Sequence, residues 1–221
     1  MQVKICGTTS VGDARLALSA GADFLGVMVN YAPSPRNVCL EVARSIRAVA
    51  GDKLVLLSVN QNEAELTRLS EEIQPAALQL HGDEPPELVA ALNKRGFRVW
   101  KAIHGDTAQL LEQAHRFRDA GAEAILVDAR ESGSGGTVYG GTGTLADWNG
   151  ARALVEAGFR VVLAGGLSPE NVARAVRVVE PFAVDCVSGV EASKGIKDAD
   201  KVRAFLREAR LNLIVQPVLE A

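Results

Sequence analysis

Short, nearly unbroken apolar runs alternate along the chain with longer segments whose apolar residues recur every three or four positions. The short runs are 3–7 (VKICG), 24–29 (FLGVMV), 54–59 (LVLLSV), 76–81 (AALQLH), 98–103 (RVWKAI), 124–129 (AILVDA), 161–166 (VVLAGG) and 183–188 (AVDCVS). Strands covered on both faces read this way, because neither side of the pleat meets water. The segments between them predict helices. Over 39–50, Leu40, Ala43, Ile46, Arg47 and Ala50 fall at helical steps, with Glu41 and Arg44 between them. Over 168–180, Ser168 suits the cap, Pro169 the first helical position, and Val172, Val176 and Val179 the apolar stripe. Gly21, Gly51, Gly96, Gly121 and Gly158 each stand just past a helical run, where helices commonly stop.

Eight strand–helix units result. Parallel strands need helical crossovers, and eight of them close into a (β/α)8 barrel, so we expect an α/β TIM barrel. An open doubly wound sheet shares the alternation, but no GxGxxG follows the first strand. No linker or composition shift divides the 221 residues, which reads as a single barrel domain over 1–221. The apolar tail 213–221 (LIVQPVLEA) falls beyond the last helix, as a packing strap or an oligomer contact.

Composition removes several function classes. A net charge of −3 and a pI near 5.7 give no electrostatic footprint for nucleic acid, and 5% aromatics offer few stacking platforms. No apolar run reaches a membrane-spanning length, and the N-terminus lacks a signal-peptide core. Cys6, Cys39 and Cys186 are odd in number and far apart, and form no metal-ligand cluster with the three histidines. A reducing cytoplasm is the expected compartment.

The chemically capable residues fall at the C-terminal ends of the strands, the face on which barrels build their sites. Cys6 ends the first strand, and Arg36 follows Ser34-Pro35 in the loop after the second. His81 ends the fourth and Asp128 the sixth; Gly165 and Gly166 end the seventh, Ser188 and Gly189 the eighth. Glycines in LAGGLSPENV (163–172) and SGVE (188–191) let backbone N–H groups approach an anion, in the two loops where barrels often hold phosphate. Tight turns alone would use the same glycines. Asp128 follows four apolar residues, so partial burial would suit it to proton donation, though a plain cap or loop carboxylate is the ordinary alternative. Cys6 is either buried core or the matching base. Lys4 shares the inward side of its strand, and a buried lysine needs a partner, for which Asp185 is the candidate. Arg36 could clamp a carboxylate through two parallel hydrogen bonds, or be surface charge. For His81 a structural or substrate-positioning role is preferred to acid–base work. The glycine-rich stretch 130–144 (RESGSGGTVYGGTGT) reads as a lid over the pocket or a surface loop.

The motifs KICGTT, SPRNV, LQLHGDE, LVDA, GGTGTLADW, LAGGLSPENV, VSGVE and GIKD, in this order, resemble the phosphoribosylanthranilate isomerase family of tryptophan biosynthesis nearly end to end. The resemblance implies an Amadori rearrangement of N-(5-phosphoribosyl)anthranilate, run by general acid–base catalysis without metal or organic cofactor. It implies Asp128 as the acid, Cys6 as the base, Arg36 on the anthranilate carboxylate, and backbone around Gly166, Ser188 and Gly189 on the phosphate. A small-molecule substrate is then the partner, with no nucleic acid or membrane, in a monomer or homodimer. The sequence departs from the family pattern at Thr8, Asn30, Ala146 and Val187, changes expected to alter the pocket walls. A paralogue acting on another phosphorylated aminosugar is one alternative. A barrel that binds a phosphorylated ligand or a partner without turnover is the other.

Overall fold

Each apolar run becomes a parallel strand, and each amphipathic run a helix laid over it. The computed structural model describes residues 1–133, 136–139 and 145–211; over 130–133 and 136–139 the description is of the backbone alone. The barrel strands are β1 (Gln2–Ile5), β2 (Phe24–Val29), β3 (Leu54–Ser58), β4 (Ala77–Leu80), β5 (Val99–Ile103), β6 (Ala124–Val127), β7 (Val161–Leu163) and β8 (Ala183–Cys186). Between and after them run α1 (Val11–Ser19), α2 (Leu40–Ala50), α3 (Glu63–Ile73), α4 (Pro86–Lys94), α5 (Thr107–Asp119), α6 (Trp148–Glu156), α7 (Val172–Val179) and α8 (Ala199–Arg210). Neighbouring strands pair in parallel in chain order, and β1 pairs with both β2 and β8, so the sheet closes on itself. The fold is the expected (β/α)8 barrel. An open sheet would leave two strands with a free edge.

The strands are shorter than the apolar runs that signalled them, and the difference serves the site. Cys6, His81, Asp128 and Ala164 lie one residue past their strands, yet each still donates its N–H to the neighbouring strand or its end: to Cys186 (2.9 Å), Ser58 (2.8 Å), Ile103 (3.3 Å) and Val127 (2.8 Å). One hydrogen bond holds the backbone in register while the side chain clears the ladder.

Alternation along the strands divides the buried residues into two cores. Val3, Ile5, Leu25 and Val27 point outward and pack beneath the helices. Cys6, Val55, Leu57, Trp100 and Leu126 point inward. Val3 and Ile5 therefore meet helices rather than the barrel axis, while Lys4 and Cys6 take the interior. The Phe24 ring meets Trp100 edge-on at 5.0 Å and closes the N-terminal floor.

Helix starts follow the capping chemistry of the sequence. Ser10, Asn62, Asp106, Asp147 and Asp198 each accept from a first-turn N–H, and Asp106 forms a full capping box with Gln109. The expected start of α7 is corrected: the helix begins at Val172 with Asn171 as cap, not at Pro169 behind Ser168. Asn171 accepts from the Ser168 N–H (2.9 Å) and donates to the Gly166 carbonyl (2.8 Å), which holds 166–171 in a turn. In α2 the buried stripe is Ala43, Ile46 and Ala50. Arg47 instead donates to the Gln74 carbonyl (2.6 Å) and to Asp52 (3.1 Å). The five glycine stops all sit at positive φ.

Two antiparallel ladders stand outside the barrel: 130–133 with 136–139, and Glu191–Ser193 with Ile196–Lys197. The lid reading of 130–144 falls partly, and the reading of the tail 213–221 wholly, outside the described residues. Among the described residues no helix is long and apolar enough to cross a membrane.

Candidate active site

A cavity of about 420 Å³ opens at the C-terminal rim, lined by Cys6, Arg36, His81, Asp128, Gly165, Gly166 and Ser188 among others. Seven of the eight residues singled out in the sequence thus share one space. Gly189 does not line it. A methyl at Gly189 would strike the Leu167 carbonyl, so this glycine lets the β8 loop pack against the β7 loop from behind.

Cys6 lies at the mouth of the barrel interior, only 2% exposed. Burial pushes its thiol up from the usual range and the Asp185 charge adds to this, while the Lys4 ammonium works against both. Lys4 and Asp185 form the anticipated ion pair, Nζ to Oδ2 at 2.9 Å, with the amine fully buried. Their register on adjacent strands β1 and β8 places them directly opposite each other. Gly26 on β2 faces the same point. A methyl there would lie 2.9 Å from Lys4 Nζ and inside contact distance of the Cys6 sulfur.

Across the cavity, Asp128 Oδ2 meets His81 Nε2 at 3.0 Å, and its Oδ1 accepts from the Ala129 N–H (2.8 Å). His81 Nδ1 in turn meets the Gln79 amide nitrogen at 2.8 Å. With that nitrogen donating, His81 carries its proton on Nε2 and donates it to Asp128. Gln79 and His81 are two apart on one strand and share its inner face.

Arg36 already holds a carboxylate. Its Nε and Nη2 donate to Glu191 Oε1 and Oε2, both at 2.8 Å, in a two-pronged pair. Lys197 stands beside the same carboxylate at 3.3 Å. Glu191 orients Arg36 across the loop that follows β8, leaving the Nη1 side for a ligand. Gly7 allows this approach, since a methyl there would lie 2.7 Å from Arg36 Cδ.

At the opposite end, Gly165 and Gly166 both adopt left-handed backbone, φ 77° and 62°. Glycine adopts this backbone without strain and, having no side chain, lets an anion approach the main chain closely. Lys194, in the turn between the two short strands after β8, is exposed and also lines the cavity. Of the four departures noted above, only Val187 reaches the cavity. Thr8 is buried, Asn30 exposed, and Ala146 packs behind Gly165. The expectation that all four alter the pocket walls is corrected on this ground. Among the described residues no three or more His, Cys, Asp or Glu gather where they could hold a metal ion.

Gly26, Gln79, Glu191 and Lys194 escaped the sequence reading. A glycine inside FLGVMV signals close approach of a neighbour, and Gln79 follows from the two-residue strand period. Nothing local signals that Glu191 faces Arg36.

Fold and cavity define the class: a single (β/α)8 barrel enzyme with acid–base groups gathered at its C-terminal rim. The chain belongs to the N-(5'-phosphoribosyl)anthranilate (PRA) isomerase family, whose sequence model matches residues 3–208. It is 42% identical to the N-(5'-phosphoribosyl)anthranilate isomerase of Trichlorobacter lovleyi over 95% of this chain and 98% of that protein. With the Methanocella arvoryzae isomerase it shares 38% identity over 95% and 98% of the two chains. The crystal structure of phosphoribosyl anthranilate isomerase from Thermotoga maritima superposes with a TM-score of 0.83 at 36% identity, covering 95% of this chain and 98% of that one. A phosphoribosyl anthranilate isomerase in complex with reduced 1-(o-carboxyphenylamino)-1-deoxyribulose 5-phosphate superposes at 0.79 with 35% identity, over 95% and 98%.

Proposed function

We propose that this chain isomerises N-(5'-phosphoribosyl)anthranilate to 1-(2-carboxyphenylamino)-1-deoxyribulose 5-phosphate, an Amadori rearrangement in tryptophan biosynthesis. The observation that carries the reading is one cavity with Cys6 and Asp128 on its walls, Arg36 at one end and Gly165–Gly166 at the other. Asp128 in its carboxylic acid form gives its proton to the ribose ring oxygen, leaving the carboxylate that accepts from His81 and Ala129, and the ring opens to a Schiff base. Cys6 takes the proton from C2, and the resulting enolamine tautomerises to the ketone. His81 keeps the Asp128 carboxyl aimed into the cavity. Arg36, braced by Glu191, turns its remaining N–H groups to the anthranilate carboxylate. Backbone N–H groups at Gly165, Gly166 and Ser188 take the phosphate. Two anchored ends and a fixed acid and base turn a flexible sugar into a near-reactive conformer. The reading needs no cofactor, and it suits a monomer or a homodimer in the cytoplasm.

Turnover followed through the loss of anthranilate fluorescence tests this. Cys6→Ser and Asp128→Asn should each lower kcat by about 100- to 10,000-fold, the usual contribution of one partner in general acid–base catalysis. Wild-type rates in both variants would remove the mechanism. A wild-type protein that binds the product analogue but never turns over would make it a binding barrel.

A further inference from the structure

The floor of the cavity beneath Cys6 holds an ion pair that the proposed reaction steps do not use. Lys4 Nζ is fully buried, bonded to Asp185 Oδ2 at 2.9 Å. Lys4 Nζ and the Cys6 sulfur also stand close together, since a methyl at Gly26 would fall inside contact distance of both, and the ammonium charge favours the thiolate. Asp185 is 4% exposed, lines the cavity, and its second oxygen Oδ1 is buried with no hydrogen-bond partner among the described residues. A buried unsatisfied carboxylate oxygen is costly, so its retention beside a reactive group calls for an explanation. Gly26 contributes the space: any side chain there would push Lys4 and Cys6 apart.

We infer that Lys4 and Asp185 are opposed positioning residues for Cys6, the ammonium stabilising its thiolate and the carboxylate restraining it. The inference rests on the reading of Cys6 as the base. Three ionisable groups meet here with one positive charge between them. At rest the ammonium and the Asp185 carboxylate balance, and the thiol stays neutral. Ionising Cys6 adds a second negative charge that the single ammonium must share. The thiolate so formed is scarce but strongly basic, and it returns to the balanced state by accepting a carbon-bound proton. Lys4 keeps the thiolate within reach, and Asp185 keeps it strong.

Other groups face the thiol too. Lys197 from the ladder after β8 and Arg36 from the loop after β2 both favour the thiolate. Cys186 on β8 is buried with its thiol pushed far up, and it stays neutral. His81 and Asp128 stand across the cavity, and β2 presents only Gly26 and Met28. Of these groups, Lys4 and Asp185 are the two charges in the barrel interior directly below the sulfur.

The test is the pH dependence of iodoacetamide alkylation at Cys6, located by peptide mass, in a Cys39→Ser background that removes the exposed thiol. The two variants should move it in opposite directions. Lys4→Met should raise the pH at which Cys6 reacts, slowing alkylation at pH 8 on the order of tenfold. Asp185→Asn should lower that pH, and the acid limb of kcat/KM should move down with it. General loosening of the barrel would speed alkylation in both variants, so shifts of the same sign overturn the inference, as does an unchanged profile in Lys4→Met. Should Lys4→Met fail to fold, the near-isosteric Asp185→Asn decides alone: no downward shift refutes it. Full turnover in Cys6→Ser would sink the base reading separately, because the thiol titration does not depend on it.

Discussion

Cys6, Lys4 and Gly26 show how few atoms separate a filler thiol from a poised one. Cysteine is commonly buried as a small hydrophobe, and 2% exposure alone would fit that role. The neighbours decide otherwise, since the Lys4 ammonium stands near the sulfur and an open cavity lies above it. Gly26 makes the arrangement possible by having no side chain. Gly26→Ala should cost about 1–3 kcal/mol, as overpacking of a filled interior does. It should also lower kcat on the order of tenfold or more, because the methyl must displace the sulfur or the amine. Chemical denaturation together with steady-state kinetics measures both. A variant with wild-type kcat would mean that the position of Cys6 is not critical.

At the scale of elements, the loops after β2 and β8 are tied together by Arg36 and Glu191. Burial pushes the Glu191 carboxyl up, but hydrogen bonds from Arg36 and the charges of Lys197 and Arg36 outweigh it and hold the group below its usual range. A carboxyl depressed in the folded state adds stability above its unfolded pKa, near 4.5, and loses it as pH falls through the folded value. Acidification below the ordinary carboxyl value of 4.5 should therefore progressively weaken this tie in the wild-type protein. Glu191→Gln should lower stability at pH 7 by about 1–3 kcal/mol and flatten that acid dependence. KM should rise several-fold with kcat little changed, because Arg36 would be less well aimed at the substrate carboxylate. A fall in kcat at constant KM would place Glu191 in the chemistry instead. This tie also marks the limit of sequence reading. Lys4 with Asp185 was legible because strand order and register bring two inward residues together. Arg36 with Glu191 spans 155 positions through two irregular loops that no periodicity governs. The start of α7 was misplaced for a related reason. Ser168-Pro169 has the composition of a helix start, but Asn171 satisfies Gly166 and Ser168 first, and a longer turn beneath the glycine pair results.

Across the whole molecule, the barrel separates chemistry at one end from stability at the other. Trp100 is fully buried on β5, meets Phe24 edge-on, and fills the interior toward the N-terminal floor, where Arg160 stacks on Phe182 at 3.7 Å. It does not line the cavity. Trp100→Ala should then cost about 3–5 kcal/mol through lost burial and the void left behind. For a chain of this length, that corresponds to a fall in Tm on the order of 10 °C. Such a loss is a large part of the stability of an ordinary domain, so Trp100→Phe serves as a milder companion. Assayed well below the lowered Tm, both variants should retain kcat/KM within a few-fold of wild type, since the rim residues are held by their own ladder bonds. A variant that kept its Tm but lost turnover would show that floor and rim are coupled, and that the barrel does not divide its labour between its two ends.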